Sequence, residues 1–206
     1  PYQRGSWRNI MSLLPYASLT HRRKAYRSTG SVVLINSITA DDDASIDFTS
    51  GIDSTYAEYI FGLYKIHPET DRANFGFQFN VAGQSGFNET ITSTGFRGHL
   101  NEDNSDGLLQ GMTNADQAQG TALQQAIIDC NSDADSSGAM YLHLFNPAGT
   151  TYAKHWMSRS IINSAHPDCN DTFMTGYVNV TGAVDEVQFK MSSGNMNGTI
   201  KLWGVL

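Results

Sequence analysis

Charge is scarce in this chain. Asp, Glu, Lys and Arg make up only 16% of its 206 residues, against the usual quarter, so Ser, Thr, Asn and Gln must supply most of the solvent-facing surface. Rigid extracellular and virion-type β proteins commonly have that composition. Cysteine is scarcer still. Cys130 and Cys169 allow at most one disulfide, which excludes a disulfide scaffold and leaves both a pair and two free thiols open. No run of about 18 apolar residues occurs, so no membrane-spanning helix is expected. The first thirty residues hold only the short apolar pieces Ile10-Met11 and Leu13-Leu14, a poor match to a signal peptide. Enzyme signatures are missing too: there is no H-E-x-x-H, no P-loop and no C-x-x-C. No pair of carboxylates is recognisable across a groove for glycoside cleavage. Gly83-Gln84-Ser85-Gly86 lacks the spacing of a nucleophile elbow and reads as a turn. The expectation is a protein that is not an enzyme.

What charge there is divides sharply. Residues 1–30 carry six bases and no acid, a net +6, while residues 31–206 carry seven bases against 20 acids, a net −13. A basic arm on an acidic body predicts that the arm docks on something acidic. The candidate docking residues are Arg4, Trp7, Arg8, Arg22, Arg23, Lys24 and Arg27. The run His21–Arg27, with Tyr26 inside it, has the base-and-aromatic character of nucleic-acid-binding tracts. No nucleic-acid-binding fold accompanies it, so the expected partner is an acidic protein neighbour, including another copy of this chain. Trp7, Ile10 and Leu14 follow helical spacing until Pro15 stops it, and the arm is expected to be extended or partly helical. The composition changes near Gly30, giving two units: an anchoring arm over 1–30 and a folded domain over 31–206.

Period-2 alternation governs that domain. Phe75, Phe77, Phe79 and Val81 alternate with Asn74, Gly76, Gln78 and Asn80, predicting a strand with its aromatics inward and its amides outward. Tyr59–His67 is apolar on both faces, with Tyr59, Phe61 and Leu63 on one and Ile60, Tyr64 and Ile66 on the other. That predicts a central strand ended by Pro68. Further strands are expected over Ser31–Ile38, Glu89–Leu100, Ala139–Phe145, Thr151–Ile162, Thr172–Val180, Val184–Met191 and Thr199–Leu206. Ala122, Leu123, Ala126, Ile127 and Cys130 fit either a short helix or a strand. Ser192–Gly198 reads as a glycine-asparagine hairpin loop. Eight to ten strands so spaced predict an all-β antiparallel sandwich, jelly-roll-like.

Five blocks in the same order, Ile52–Asp71, Phe77–His99, Leu142–Pro147, Val184–Asn195 and Gly198–Gly204, resemble a family of tail-fibre and virion structural proteins of tailed bacteriophages, of the marine phage and cyanophage type. The resemblance covers nearly all of 31–206 and none of the arm. It implies a virion component on the particle surface, in the tail or on the capsid exterior. The expected role is host attachment, with other virion proteins as partners through the arm, a homotrimeric state and a host-surface glycan as target. It names no catalytic residues. A capsid decoration or cement protein and a carbohydrate-binding module are the alternative readings.

The candidate binding features are few. Asp133, Asp135 and Ser137, followed by Gly138, begin like a calcium loop, but Leu144 stands where the bidentate glutamate belongs. Calcium there, shared with Asp41–Asp43 or Glu102–Asp106, is the one cofactor considered; otherwise none is expected. His143 and His155 sit in different predicted strands and lack further metal ligands. Trp156 and Trp203 could stack on sugars. The loops Asn101–Gly107 and Asp129–Gly138 are where a glycan site would be sought.

Overall fold

The computed structural model describes residues 31–206; the arm and its seven candidate docking residues lie outside the described residues. Within them the chain forms twelve strands: β1 (Val32–Asp43), β2 (Ile46–Phe48), β3 (Glu58–Pro68), β4 (Ala73–Val81), β5 (Ile91–Asn101), β6 (Gly107–Gly111), β7 (Gln124–Cys130), β8 (Gly138–Phe145), β9 (Lys154–Asn163), β10 (Asp168–Val178), β11 (Val184–Met191) and β12 (Met196–Val205). They make two antiparallel layers. The large sheet runs β1-β12-β3-β8-β9-β10-β5-β6 and the small one β2-β11-β4-β7.

Eight of these strands are wired as a jelly roll. Without β5, β6, β9 and β10, the remaining strands in chain order stand first, eighth, third, sixth in one layer and second, seventh, fourth, fifth in the other. The four extra strands enter as two pairs, β5-β6 between β4 and β7, and β9-β10 between β8 and β11. Both pairs extend the large sheet on the same side, doubling its width.

The core lies between the layers. Phe75, Phe77 and Phe79 of β4 are fully buried, as expected from their spacing, and face Phe61 of β3 and Trp156 of β9. Phe61 and Phe189 pack with ring centres 5.2 Å apart, and Phe77 meets Trp156 edge-on at 5.0 Å. Such pairs contribute roughly 0.5–1.5 kcal/mol each beyond their buried area. β3 is central, hydrogen-bonded to β12 on one side and β8 on the other, and ends at Pro68.

Several expectations need correction. Ile66 faces inward with Leu63, because a bulge at Lys65, whose φ is 55°, shifts the register between them. Gln78 and Asn80 point away from the core, as their phase implies, but they are buried rather than open to solvent. The Gln78 side-chain amide donates to the carbonyls of Glu89, Thr121 and Ala122, so chain crossing the outside of the small sheet covers it. Of the 122–130 segment, Gln124–Cys130 is strand β7; two register shifts against β4 give its inward residues their near-helical spacing. Ser192–Gly198 contains no hairpin loop: β11 belongs to the small sheet and β12 to the large, so the chain crosses between layers there. β6 was not foreseen. Cys130 and Cys169 are both free thiols.

Candidate functional site

An antiparallel sheet with one free side normally turns polar residues to water. The outer side of the large sheet does not. The pairing registers set its outward residues in rows that cross the strands. One row carries Leu34, Trp203, Ile60, His143 and Met157. The next carries Lys201, Gly62, Tyr141, Arg159, Phe173 and Phe96. A third carries Ala139, Ile161, Asp171, Gly98 and Leu109. Met157 is 48% exposed, Ile161 53% and Leu109 70%. Most of the exposed apolar side chains of this face stand on the four strands added to the jelly roll, on β9, β10, β5 and β6.

The face is internally ordered. Phe96 and Phe173 stack with centroids 5.1 Å apart and planes 14° from parallel. The guanidinium carbon of Arg159 lies 4.7 Å above the Phe173 ring, within cation–π range. Arg159 also grips Asp171 with two bonds, Nε to Oδ1 at 2.9 Å and Nη2 to Oδ2 at 2.8 Å. That hydrogen bonding holds the Asp171 carboxyl below the usual carboxylate range and raises the guanidinium. Nearer β12, the Tyr64 and Tyr141 hydroxyls lie 3.5 Å apart, a contact that pushes the Tyr64 phenol up. Lys201 Nζ sits 5.7 Å from the Tyr64 ring centre. Glu58 Oε1 and His143 Nδ1 are 2.6 Å apart.

Two grooves run along the face. One, of about 550 Å³, lies among Phe96, Phe173, Met157, Tyr141 and His143. The other, of about 690 Å³, lies among Tyr64, Ile161, Leu100, Glu102 and Cys169. The larger groove is also lined by Asp168, whose carboxylate accepts from Ser164 Oγ and Asn170 Nδ2.

The residues singled out from the sequence lie mostly elsewhere. Asp133 closes a turn: its carbonyl accepts from Ser136 N at 2.8 Å, and its Oδ2 accepts from Asn131 Nδ2 at 3.1 Å. Asp135 is exposed, and the Ser137 amide donates to Asn163 Oδ1 at 3.3 Å. Among the described residues no group of three or more His, Cys, Asp or Glu side chains is placed to hold a metal ion. His143 and His155 do not converge, since His143 is opposite Met157 and turns to Glu58. Trp156 is core, so of the two tryptophans only Trp203 reaches the outer face.

The two loops proposed for a glycan do come together. Glu102 N bonds to Pro167 O, and Ala165 N to Asp129 O. The 101–107 and 129–138 loops therefore gather at one end of the sandwich around the β9–β10 turn, beside the larger groove. The outer face itself was missed. Its signal is the strands Ala139–Phe145 and Lys154–Asn163, in which the phase that should be polar holds Tyr141, Met157 and Ile161. The chain matches no protein-family model, no curated protein and no solved structure.

Proposed function

We propose that the chain is a non-enzymatic structural protein of a tailed-bacteriophage particle. In this reading the sandwich belongs to a tail fibre or adhesin at the particle surface and contributes to host attachment. The arm docks it onto other virion proteins. The observation that carries the reading is the broad outer face of the large sheet. It is apolar, aromatic and poor in charge, the composition of a surface that packs on protein rather than one that works on a substrate. The block-by-block resemblance of 31–206 to virion proteins and the basic character of residues 1–30 support the same reading.

Immunogold electron microscopy of intact particles with antibodies against residues 31–206 tests it. Gold at the tail is the expected result. Gold over the head would move the assignment to capsid decoration, with the arm acting as cement. No gold, with the epitope accessible in the isolated protein, would overturn the virion role.

One observation favours a second reading as a carbohydrate-binding module: the loops 101–107 and 129–138 meet at one end of the sandwich beside the larger groove. Glycan-array binding by the isolated protein, lost on EDTA treatment, would favour that reading with calcium at Asp133 and Asp135.

A further inference from the structure

We propose that the outer face of the large sheet is the contact between two copies of this chain, packed sheet on sheet about a two-fold axis. The proposal rests on the reading of the chain as an assembling structural protein. Its test reads copy-on-copy contact and not location in a particle, so the two can fail separately.

Three observations carry it. The first is size. Eight strands at about 4.8 Å spacing make the face about 38 Å wide, and the six-residue steps between its outermost rows, such as His155 to Ile161, make it about 20 Å long. The product, about 760 Å² at most because β6 reaches only the Arg159 and Ile161 rows, approaches the roughly 800 Å² per partner of a stable interface.

The second is composition. Tyr, Trp, Phe, Met and Arg are the residues enriched in interface cores, and this face presents Tyr141, Trp203, Phe96, Phe173, Met157 and Arg159. Its aromatic groups are already fixed by the Phe96–Phe173 stack and the Arg159–Asp171 grip, so little side-chain freedom is lost when it is covered.

The third is charge, and it selects the occupant. Each copy carries a net −13 over residues 31–206, so copies repel through most of their surface. On the four rows of this face from His155 to Ile161, the fully charged side chains are Arg159, Lys201, Lys65, Asp171 and Glu58, and with Glu102 at the larger groove they sum to zero. Asp171 is matched by Arg159, and Glu58 is bonded to His143. A strongly charged partner gains nothing here, whereas a second copy brings the same neutral, apolar surface. Two layers packed face to face about 10 Å apart is the ordinary geometry for such surfaces, and a single self-complementary patch implies a two-fold arrangement.

Sedimentation velocity on the full 206-residue chain between 1 and 100 µM tests this. The wild type should pass from monomer at the low end of this range to a dimer of the 22.6 kDa chain at the high end. The double variant Met157→Lys/Ile161→Lys should sediment as a monomer, its dimer weakened roughly 100-fold or more. Both positions are about half exposed, so circular dichroism should stay that of the wild type. Tyr152→Lys, at a site 75% exposed in the loop before β9, should leave the dimer intact. A wild type that stays monomeric to 100 µM overturns the proposal. So does a dimer that survives the double substitution. A trimeric mass overturns it as well, because one flat face pairs copies only in twos. A monomer whose face is shielded in the full chain and bared in residues 31–206 would give the face to the arm, and would also overturn it.

Discussion

The indole of Trp203 lies across Gly62, its diagonal neighbour on the adjoining strand β3. A Cβ at position 62 would sit 2.6 Å from Trp203 Cζ3 and 3.0 Å from the Tyr64 hydroxyl. The bare backbone at Gly62 is what lets a large ring lie flat on the β12 side of the outer face. Gly62→Ala should lift the indole and cost about 1–2 kcal/mol, the usual scale for a forced overlap at a partly yielding site. Urea unfolding measures the cost, and a red-shifted tryptophan emission in the native state reports the displaced ring.

Asp171 gives the face a pH signature. Its folded-state pKa is depressed by the hydrogen bonds from Arg159. The contribution of the pair is therefore complete above the range where Asp titrates in the unfolded chain, about 3.9. It is lost as the pH falls through the lower folded-state value. Asp171→Asn should lower the melting temperature at pH 7. The difference from wild type should shrink to nothing in acid below that value. Because the pair is partly exposed, the effect at pH 7 should also weaken in high salt. Melting curves across pH, at two salt concentrations, check both trends.

Lys154 is buried to 1% exposure, and its ammonium donates to the carbonyls of Tyr152, Val180 and Thr181 at 2.7, 3.4 and 3.2 Å. It ties the loop before β9 to the loop after β10. Lys154→Met fills similar space but leaves three carbonyls without that donor, and should destabilise the fold by about 2–4 kcal/mol. Denaturant unfolding measures it. A loss below about 0.5 kcal/mol would mean that the carbonyls find other partners.

The two thiols should react very differently. Burial pushes the Cys130 thiol up to about 12, so at neutral pH it is protonated as well as inaccessible, while Cys169 is exposed at the end of the outer face. A thiol-reactive dye at pH 7.5 and dilute protein should label one cysteine per chain rapidly. The second should react only on unfolding, at least about 100-fold more slowly. Peptide mapping should place the fast label at Cys169.

The sandwich was legible because its core strands state their inward phase plainly: Phe75, Phe77 and Phe79 are as buried as their spacing implied. What the sequence concealed has local causes. A bulge at Lys65 turned Ile66 inward, and two slips in β7 imitated a helix. Gln78 looks like a surface residue until the segment that covers it is in place. The outer face was hidden for another reason. In Ala139–Phe145 both phases are largely apolar, which reads equally well as a strand covered on both faces, and in Lys154–Asn163 each phase mixes apolar with polar residues, so neither declares itself the solvent-facing one. Only the pairing order shows that β8, β9, β10 and β5 have nothing from the described residues over their outer side. The candidate calcium residues Asp133, Asp135 and Ser137 were conspicuous as a motif, yet their loop closes on its own backbone and on Asn163.

Whether a second copy covers that face is decisive. Hydroxyl-radical footprinting of the full chain at 1 and 100 µM measures this directly. Met157, Phe173 and Leu109 should lose labelling several-fold as concentration rises, while Tyr152, exposed in a loop outside the strands, keeps its rate. Equal labelling of all four residues at both concentrations would contradict the account, because it would leave the apolar side of the large sheet facing water in the assembled protein.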